Sequence, residues 1–129
     1  MKRSKLRRKS KNPVAKLKWL ADRAFSDWIR NRDNWVCFTC EKRFTDRARM
    51  HAGHFRSRVY TGTRYDERNV HAQCAMCNVW KRGDYAVYAV KLQKQYGQGI
   101  LQELIDKSRV VTRFGAKEYQ AIIEKYLTS

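Results

Sequence analysis

All four cysteines and all three histidines of this 129-residue chain fall between Cys37 and Cys77. They stand as Cys37-Phe38-Thr39-Cys40, then His51-Ala52-Gly53-His54, then Asn69-Val70-His71, then Cys74-Ala75-Met76-Cys77-Asn78. Two Cys-x-x-Cys pairs thus bracket a segment rich in His, Asn and Arg. Four thiolates complete a tetrahedral zinc shell, and each two-residue spacer lets one turn supply two ligands. The spacing predicts a structural Zn2+ on Cys37, Cys40, Cys74 and Cys77. Such a closed shell has no open position, so this metal holds the frame and does no chemistry. The bracketed segment has other uses. A neutral imidazole can take a proton from water. Amide, imidazole or carboxylate groups can hold a cation beside a phosphate. Together these needs suit phosphodiester hydrolysis.

The elements that must position these groups follow from hydrophobic periodicity. Asn12-Pro13 is a helix start, with Asn as cap and Pro at the first helical position. Leu17, Leu20, Ala21, Ala24, Phe25, Trp28 and Ile29 then recur at spacings of three and four, which gives one apolar face of a helix over 13–32. The opposite face carries Lys16, Lys18, Arg23 and Arg30. Residues 33–83 read as the zinc-bound core. Trp35-Val36 lead as a short extended piece into the Cys37–Cys40 turn. His51–Phe55 is a short strand, 56–68 a basic loop, and Asn69-Val70-His71 the returning strand, which brings His54 opposite the Asn69 region. A helix is expected over 72–82, with Cys74, Cys77 and Asn78 on its first turn and Asn78 pointing away from the zinc. Over 84–129, Asp84 is a plausible cap. Tyr85, Tyr88, Ala89, Leu92 and Tyr96 mark one helix. Ile100, Leu101, Leu104 and Ile105 mark a second, and Tyr119, Ile122, Ile123, Tyr126 and Leu127 a third. The tyrosine stripes read as packing surfaces. The whole is an α+β chain: one domain over 13–129, a small zinc-stapled ββα core flanked by N- and C-terminal helices, behind a disordered basic arm at 1–12.

Charge narrows the partners. Lys and Arg number 29 against 12 Asp and Glu, a formal net charge of +17. Nine of the basic residues precede residue 19, yet the remainder keeps 20 against 12. That excess exceeds what solubility needs and points to a polyanion, nucleic acid first. Arg56, Arg58, Arg64, Arg68, Lys81 and Arg82 surround the histidine segment and are candidate phosphate contacts. No apolar run is long enough for a membrane span, and no h-region follows the charged start. The cysteines then read as metal ligands in a reducing cytoplasm rather than disulfides.

The run Cys-x-x-Cys, Ala-Gly-His-Phe, Arg-Tyr-Asp-Glu-x-Asn-Val-His and Gln-Cys-x-x-Cys-Asn resembles the HNH endonucleases, and among them the phage lambda NinG/Rap recombination nucleases. The likeness runs from about residue 16 to the C-terminus and is specific over 37–78. It implies a ββα-metal, treble-clef-like finger that cuts branched DNA recombination intermediates with Mg2+ or Mn2+. By that likeness His54 takes the general-base place, Asn69 that of the central Asn, and Asn78 that of the helix metal ligand. Many HNH enzymes have Asp immediately before the base, where this chain has Gly53, and His after the last cysteine, where it has Asn78. His51 would supply the missing ligand if the strand bulged near Gly53. Asp66 and Glu67 read as partners for loop arginines, and the role of His71 stays open. Paired cuts across a four-way junction would call for a homodimer, with the C-terminal helices as candidate contacts. The competing expectation is a non-catalytic zinc module that binds DNA or RNA.

Overall fold

The computed structural model describes residues 12–128, so the basic arm expected at 1–12 lies, apart from Asn12, outside the described residues. The elements in order are α1 (Pro13–Arg32), β1 (Met50–His54), β2 (Val70–Cys74), one π-helical turn (Met76–Trp80), α2 (Tyr85–Tyr96), α3 (Ile100–Ser108) and α4 (Ala116–Leu127). The class is α+β, as expected. The described residues group into two compact units, one comprising the chain up to Phe25 with Phe114 onward, the other Ser26–Arg113.

In the first unit, Asn12 accepts the Val14 N–H on its side-chain oxygen at 2.9 Å, which satisfies one of the donors a helix start leaves unpaired. The apolar stripe of α1 buries Ala21, Ala24 and Phe25. Phe25 meets Tyr126 of α4 edge-on at 4.9 Å between ring centroids, and Phe114 stacks on Tyr119 at 5.4 Å. Glu118 reaches back to accept the Gly115 N–H at 2.8 Å, a negative side chain at the positive end of α4.

The second unit holds the four cysteines and three histidines. β1 and β2 pair antiparallel in an unbroken register from Met50↔Cys74 to His54↔Val70. The far edge of β2 is covered rather than left open. Ala72 donates its N–H to Asp33 at 2.8 Å, and its carbonyl accepts from Phe38 N–H at 2.8 Å. Arg32 donates to the carbonyls of Glu67 and Val70 at 2.8 Å each. The last turn of α1 therefore clamps β2 and blunts a two-stranded ribbon that would otherwise be marginal. Tyr88, Leu92, Ile100 and Leu104 form the buried core of α2 and α3, with Phe38, Phe55, Tyr96 and Leu101 packed against it.

Several local expectations need correction. The helix expected over 72–82 is instead strand to Cys74, then Ala75 and a five-residue π turn. Position 74 stays extended because Met50 pairs with it. Asp84 does not cap α2 through its side chain. It sits in the left-handed region at φ 49°, in a tight turn where Arg82 and Gly83 also have positive φ. Arg30, expected on the solvent face of α1, is buried and ion-paired to Asp27 at 2.5 Å. Tyr85, expected to pack, is 48% exposed.

Candidate functional site

The four cysteine sulfurs all lie within 4.8 Å of one another. Cys40 and Cys74, which come from opposite ends of the segment, have Sγ atoms 3.6 Å apart. Tetrahedral zinc with Zn–S bonds of about 2.3 Å spaces its sulfurs by roughly 3.8 Å, so the donor set fits that ion. The turn at Cys37–Cys40 supports charge on sulfur: the Cys40 N–H and the Thr39 hydroxyl each lie 3.4 Å from Cys37 Sγ. Burial alone would raise the Cys37 thiol, but the Thr39 hydroxyl and nearby backbone groups outweigh it and bring it down to about 6. Burial pushes Cys77 up to about 12, with the neighbouring thiolate adding to it. Four crowded thiols resist ionising together, and a bound divalent cation removes that conflict. Met50, Ala72, Trp35 and Phe44 pack around the cluster.

His54 is the last residue of β1 and is half-buried. Its Nε2 lies 3.0 Å from the Arg64 carbonyl. A carbonyl only accepts, so Nε2 carries the ring proton and the lone pair sits on Nδ1. Burial lowers the His54 pKa to about 4; the Arg58 and Arg64 charges add to this, and the carbonyls of Arg64 and Ala52 oppose it. The imidazole is therefore neutral at pH 7, in the form a base needs.

The Asn69 side chain makes no hydrogen bond to His54 but organises the loop that does. It is fully buried. Its Oδ1 accepts the Arg56 N–H at 2.8 Å, and its Nδ2 donates to the carbonyls of Arg56 at 3.0 Å and Thr63 at 3.1 Å. One amide thereby ties the start of the 56–68 loop to the stretch that presents the Arg64 carbonyl to His54.

Asn78, on the π turn, does come to His51. Its Nδ2 lies 3.0 Å from His51 Nδ1, while His51 Nε2 reaches the Ala48 carbonyl at 3.2 Å. The bulge expected at Gly53 is absent, because the ladder runs unbroken past it. A regular pleat then carries His51 and His54 to opposite faces of β1. Gly53 has a steric cause: a Cβ there would fall 2.1 Å from Gln73 Oε1. Gln73 is held in that place by donating to the Gly83 carbonyl at 2.7 Å and the Thr39 hydroxyl at 3.2 Å. The space beside Gly53 is thus filled from the facing strand. Among the described residues the cysteine group is the only cluster of three or more His, Cys, Asp or Glu donors.

His71 belongs to the core. Tyr88 spends its single proton on the Gly53 carbonyl at 2.6 Å. His71 Nδ1, 3.2 Å from the Tyr88 oxygen, must then be the donor of that pair, and Nε2 accepts from the Tyr96 hydroxyl at 2.9 Å. The ring also stacks on Phe38 at 4.0 Å. Burial, with the Arg32 charge, lowers its pKa to about 3.

The basic residues divide. Arg58, Lys81 and Arg82 are exposed. Arg64 is buried and donates to the Arg58 carbonyl at 2.9 Å, so it builds the loop instead of gripping phosphate. Arg68 is engaged with Asp66 at 3.4 Å and Glu103 at 3.5 Å. Asp66, read as a partner for loop arginines, also holds Lys107 at 2.7 Å. Arg56 is fixed by its bond to Ser108 at 2.9 Å. The sequence reading missed Arg32, Asp33 and Gln73, whose partners lie far away in the chain and leave no local pattern.

Residues 1–129 match the family described as Bacteriophage Lambda NinG protein. The chain belongs to the NinG family. Curated relatives named Protein ninG agree with this. Those of Escherichia phage 933W, Escherichia phage lambda and Salmonella phage P22 are 35%, 33% and 33% identical over 108 residues, 82% of this chain and 52% of each relative. The chain therefore spans about half the length of these NinG relatives. No solved structure matches it. Among the described residues, no helix is long and apolar enough to cross a membrane.

Proposed function

We propose that this NinG-family chain is a metal-dependent DNA endonuclease of the HNH type, selective for branched DNA, with His54 as general base. The observation that carries the reading is the His54–Arg64 bond at 3.0 Å, which fixes the neutral ring with its lone pair on Nδ1. In the reaction His54 takes a proton from water, the resulting hydroxide attacks phosphorus, and the bond from phosphorus to the leaving sugar oxygen breaks; that oxygen takes a proton from solvent water, and His54 returns its own to solvent. His51 and Asn78 would hold Mg2+ or Mn2+, which offsets charge on the phosphate. As a donor set they are thin, one imidazole and one amide with no carboxylate, so water and phosphate oxygens would complete the shell. His51 lies three residues before His54 and on the opposite face of β1, so the cation and the base would act on one phosphate only where the substrate wraps the strand. The net charge of +17 supplies attraction for the DNA backbone. The reading places the protein in the cytoplasm where the DNA is.

The one donor cluster among the described residues is the four cysteines, which suits a second reading, a zinc module that binds nucleic acid without cutting it. Purified protein incubated with labelled four-way junctions, flaps, nicked duplex and plain duplex in Mn2+ separates the two. The endonuclease reading expects cleavage that His54→Ala abolishes while zinc content and DNA affinity stay near wild type. Binding without cleavage on every substrate, or undiminished cleavage by His54→Ala, overturns it.

A further inference from the structure

Beside His54 the chain continues into a cleft of about 310 Å³ lined by Phe55, Arg56, Ser57, Tyr60, Tyr85 and Ile105. Two of its aromatic walls face water, Tyr60 at 38% exposed and Tyr85 at 48%. A tyrosine on a helix buries its ring when the core has room, as Tyr88 does one turn along α2. Tyr85 instead meets Phe55 edge to face at 5.9 Å. The Arg56 guanidinium lies over the Tyr60 ring, 4.5 Å from its centroid. It is not free to swing away: Nε donates to Ser108 Oγ at 2.9 Å, and Ser108 in turn donates to the Ile105 carbonyl at 2.7 Å. The backbone of Arg56 is pinned on both sides by Asn69. The cleft is therefore set before any ligand arrives.

From this geometry we infer that the cleft receives one unpaired nucleobase of the DNA substrate. The inference rests on the nucleic-acid reading above and names what would give it selectivity for branched substrates. A chain of net charge +17 recruits a polyanion, and the flat, apolar parts of a nucleic acid are its bases. Aromatic rings with a guanidinium plane are the surfaces on which bases stack, whatever their sequence. In an intact duplex both faces of each base are already stacked, so only a base freed at a branch, flap or single-stranded stretch can enter. Phe55 follows His54 directly in the chain, and Asn69 holds both the Arg56 backbone and the loop that carries the Arg64 carbonyl, so the cleft and the proposed base share one support.

The test is a binding measurement with no divalent cation added, so it reads independently of cleavage. Fluorescence anisotropy compares a flapped duplex with a blunt duplex of equal length at one salt concentration. Tyr60→Ala and Tyr85→Ala are each expected to weaken flap binding about tenfold, with blunt-duplex binding unchanged within twofold and Tyr→Phe variants near wild type. Equal loss on both substrates, or no loss on either, overturns the inference. Wild-type protein provides the second arm. 2-Aminopurine placed at the unpaired position should be quenched on binding, and the same probe inside the duplex should not. Absence of that difference overturns the inference even if an alanine variant fails to fold. If His54→Ala retains full cleavage while the quenching occurs, the catalytic assignment fails and the cleft stands.

Discussion

Asn69→Ala is the most informative single change, because one side chain makes three bonds to backbone. The substitution removes the acceptor for Arg56 N–H at 2.8 Å and the donors to the Arg56 and Thr63 carbonyls at 3.0 and 3.1 Å. The side chain is fully buried, so water cannot easily replace it. A typical net contribution is about 1 kcal/mol per bond, and a buried group left unpaired costs more. The expected destabilisation is about 3–4 kcal/mol, a large part of the roughly 5–15 kcal/mol that holds a domain together. Urea unfolding of zinc-saturated protein measures it. Amide exchange locates it, since the Arg56 N–H should lose protection while the amides of the β1–β2 ladder keep theirs relative to global unfolding. Cleavage should fall more than stability alone explains at temperatures where the variant is folded, because the loop that presents the Arg64 carbonyl to His54 is no longer tied.

Asn69→Asp sharpens the argument. The new carboxylate would face two carbonyl oxygens where the amide donated to them. Burial and those oxygens raise its folded pKa above the unfolded value of about 3.9. The variant should therefore be less stable at pH 7 and recover as pH falls through the raised pKa, where the protonated group can donate once. A cost below about 1 kcal/mol for Asn69→Ala, or retained Arg56 protection, would refute the reasoning, since neither is compatible with a buried amide bearing three bonds.

Other outcomes follow from the same coordinates. His54 and His71 have folded pKa values lowered from 6.5 to about 4 and about 3, so unfolding takes up protons on both. Their stabilising contribution is present above about pH 6.5 and is lost as pH falls toward 4. NMR should find both rings neutral at pH 5, and titration of either near 6.5 contradicts the burial argument. The acid limb of the cleavage rate should likewise lie nearer pH 4 than 6.5. Gly53→Ala should cost about 1–3 kcal/mol by overpacking against Gln73, partly recovered when combined with Gln73→Ala; additive costs would mean the two do not meet. Chelation of zinc should unfold the Ser26–Arg113 unit, and circular dichroism unchanged after verified metal loss would deny the ion a structural role. Tyr88→Phe should lose about 1–2 kcal/mol by leaving the His71 Nδ1–H without its acceptor and removing one of the bonds to the Gly53 carbonyl, which keeps its ladder partner, without changing the pattern of DNA substrates bound.

Legibility in the sequence tracked locality. The start of α1 was readable because an Asn-Pro pair carries the cap within two residues. The cysteine cluster was readable because metal geometry is met by fixed short spacers, and all four sulfurs converge as that spacing requires. The boundary at Cys74 was not. A Cys-x-x-Cys pair reads equally well as the first turn of a helix or as a strand end followed by a turn, and the pairing of Met50 with Cys74 decides between them. Arg64 looked like any loop arginine. Its burial depends on the way the loop folds back on the Arg58 carbonyl. Gln73 had no local signal at all, since its meaning comes from Gly53 on the facing strand.

The Gly53–Gln73 pair also bears on what kind of metal site this frame can build. A carboxylate cannot simply be placed at residue 53, because its Cβ would collide with a glutamine that Gly83 and Thr39 hold from the other side. The cation donors left near β1 among the described residues are His51 and Asn78, neither a carboxylate and already bonded to each other. A site of that kind binds a hard cation weakly and gains most of its affinity from the phosphate of the substrate. Metal and DNA should therefore bind cooperatively: Mn2+ should be captured far better in the presence of a branched substrate than alone. Titration of Mn2+ by electron paramagnetic resonance, with and without uncleavable flapped DNA, reads this coupling directly. Equal Mn2+ affinity in the two titrations would remove His51 and Asn78 from the metal assignment, because linkage requires each ligand to tighten the other by the same factor.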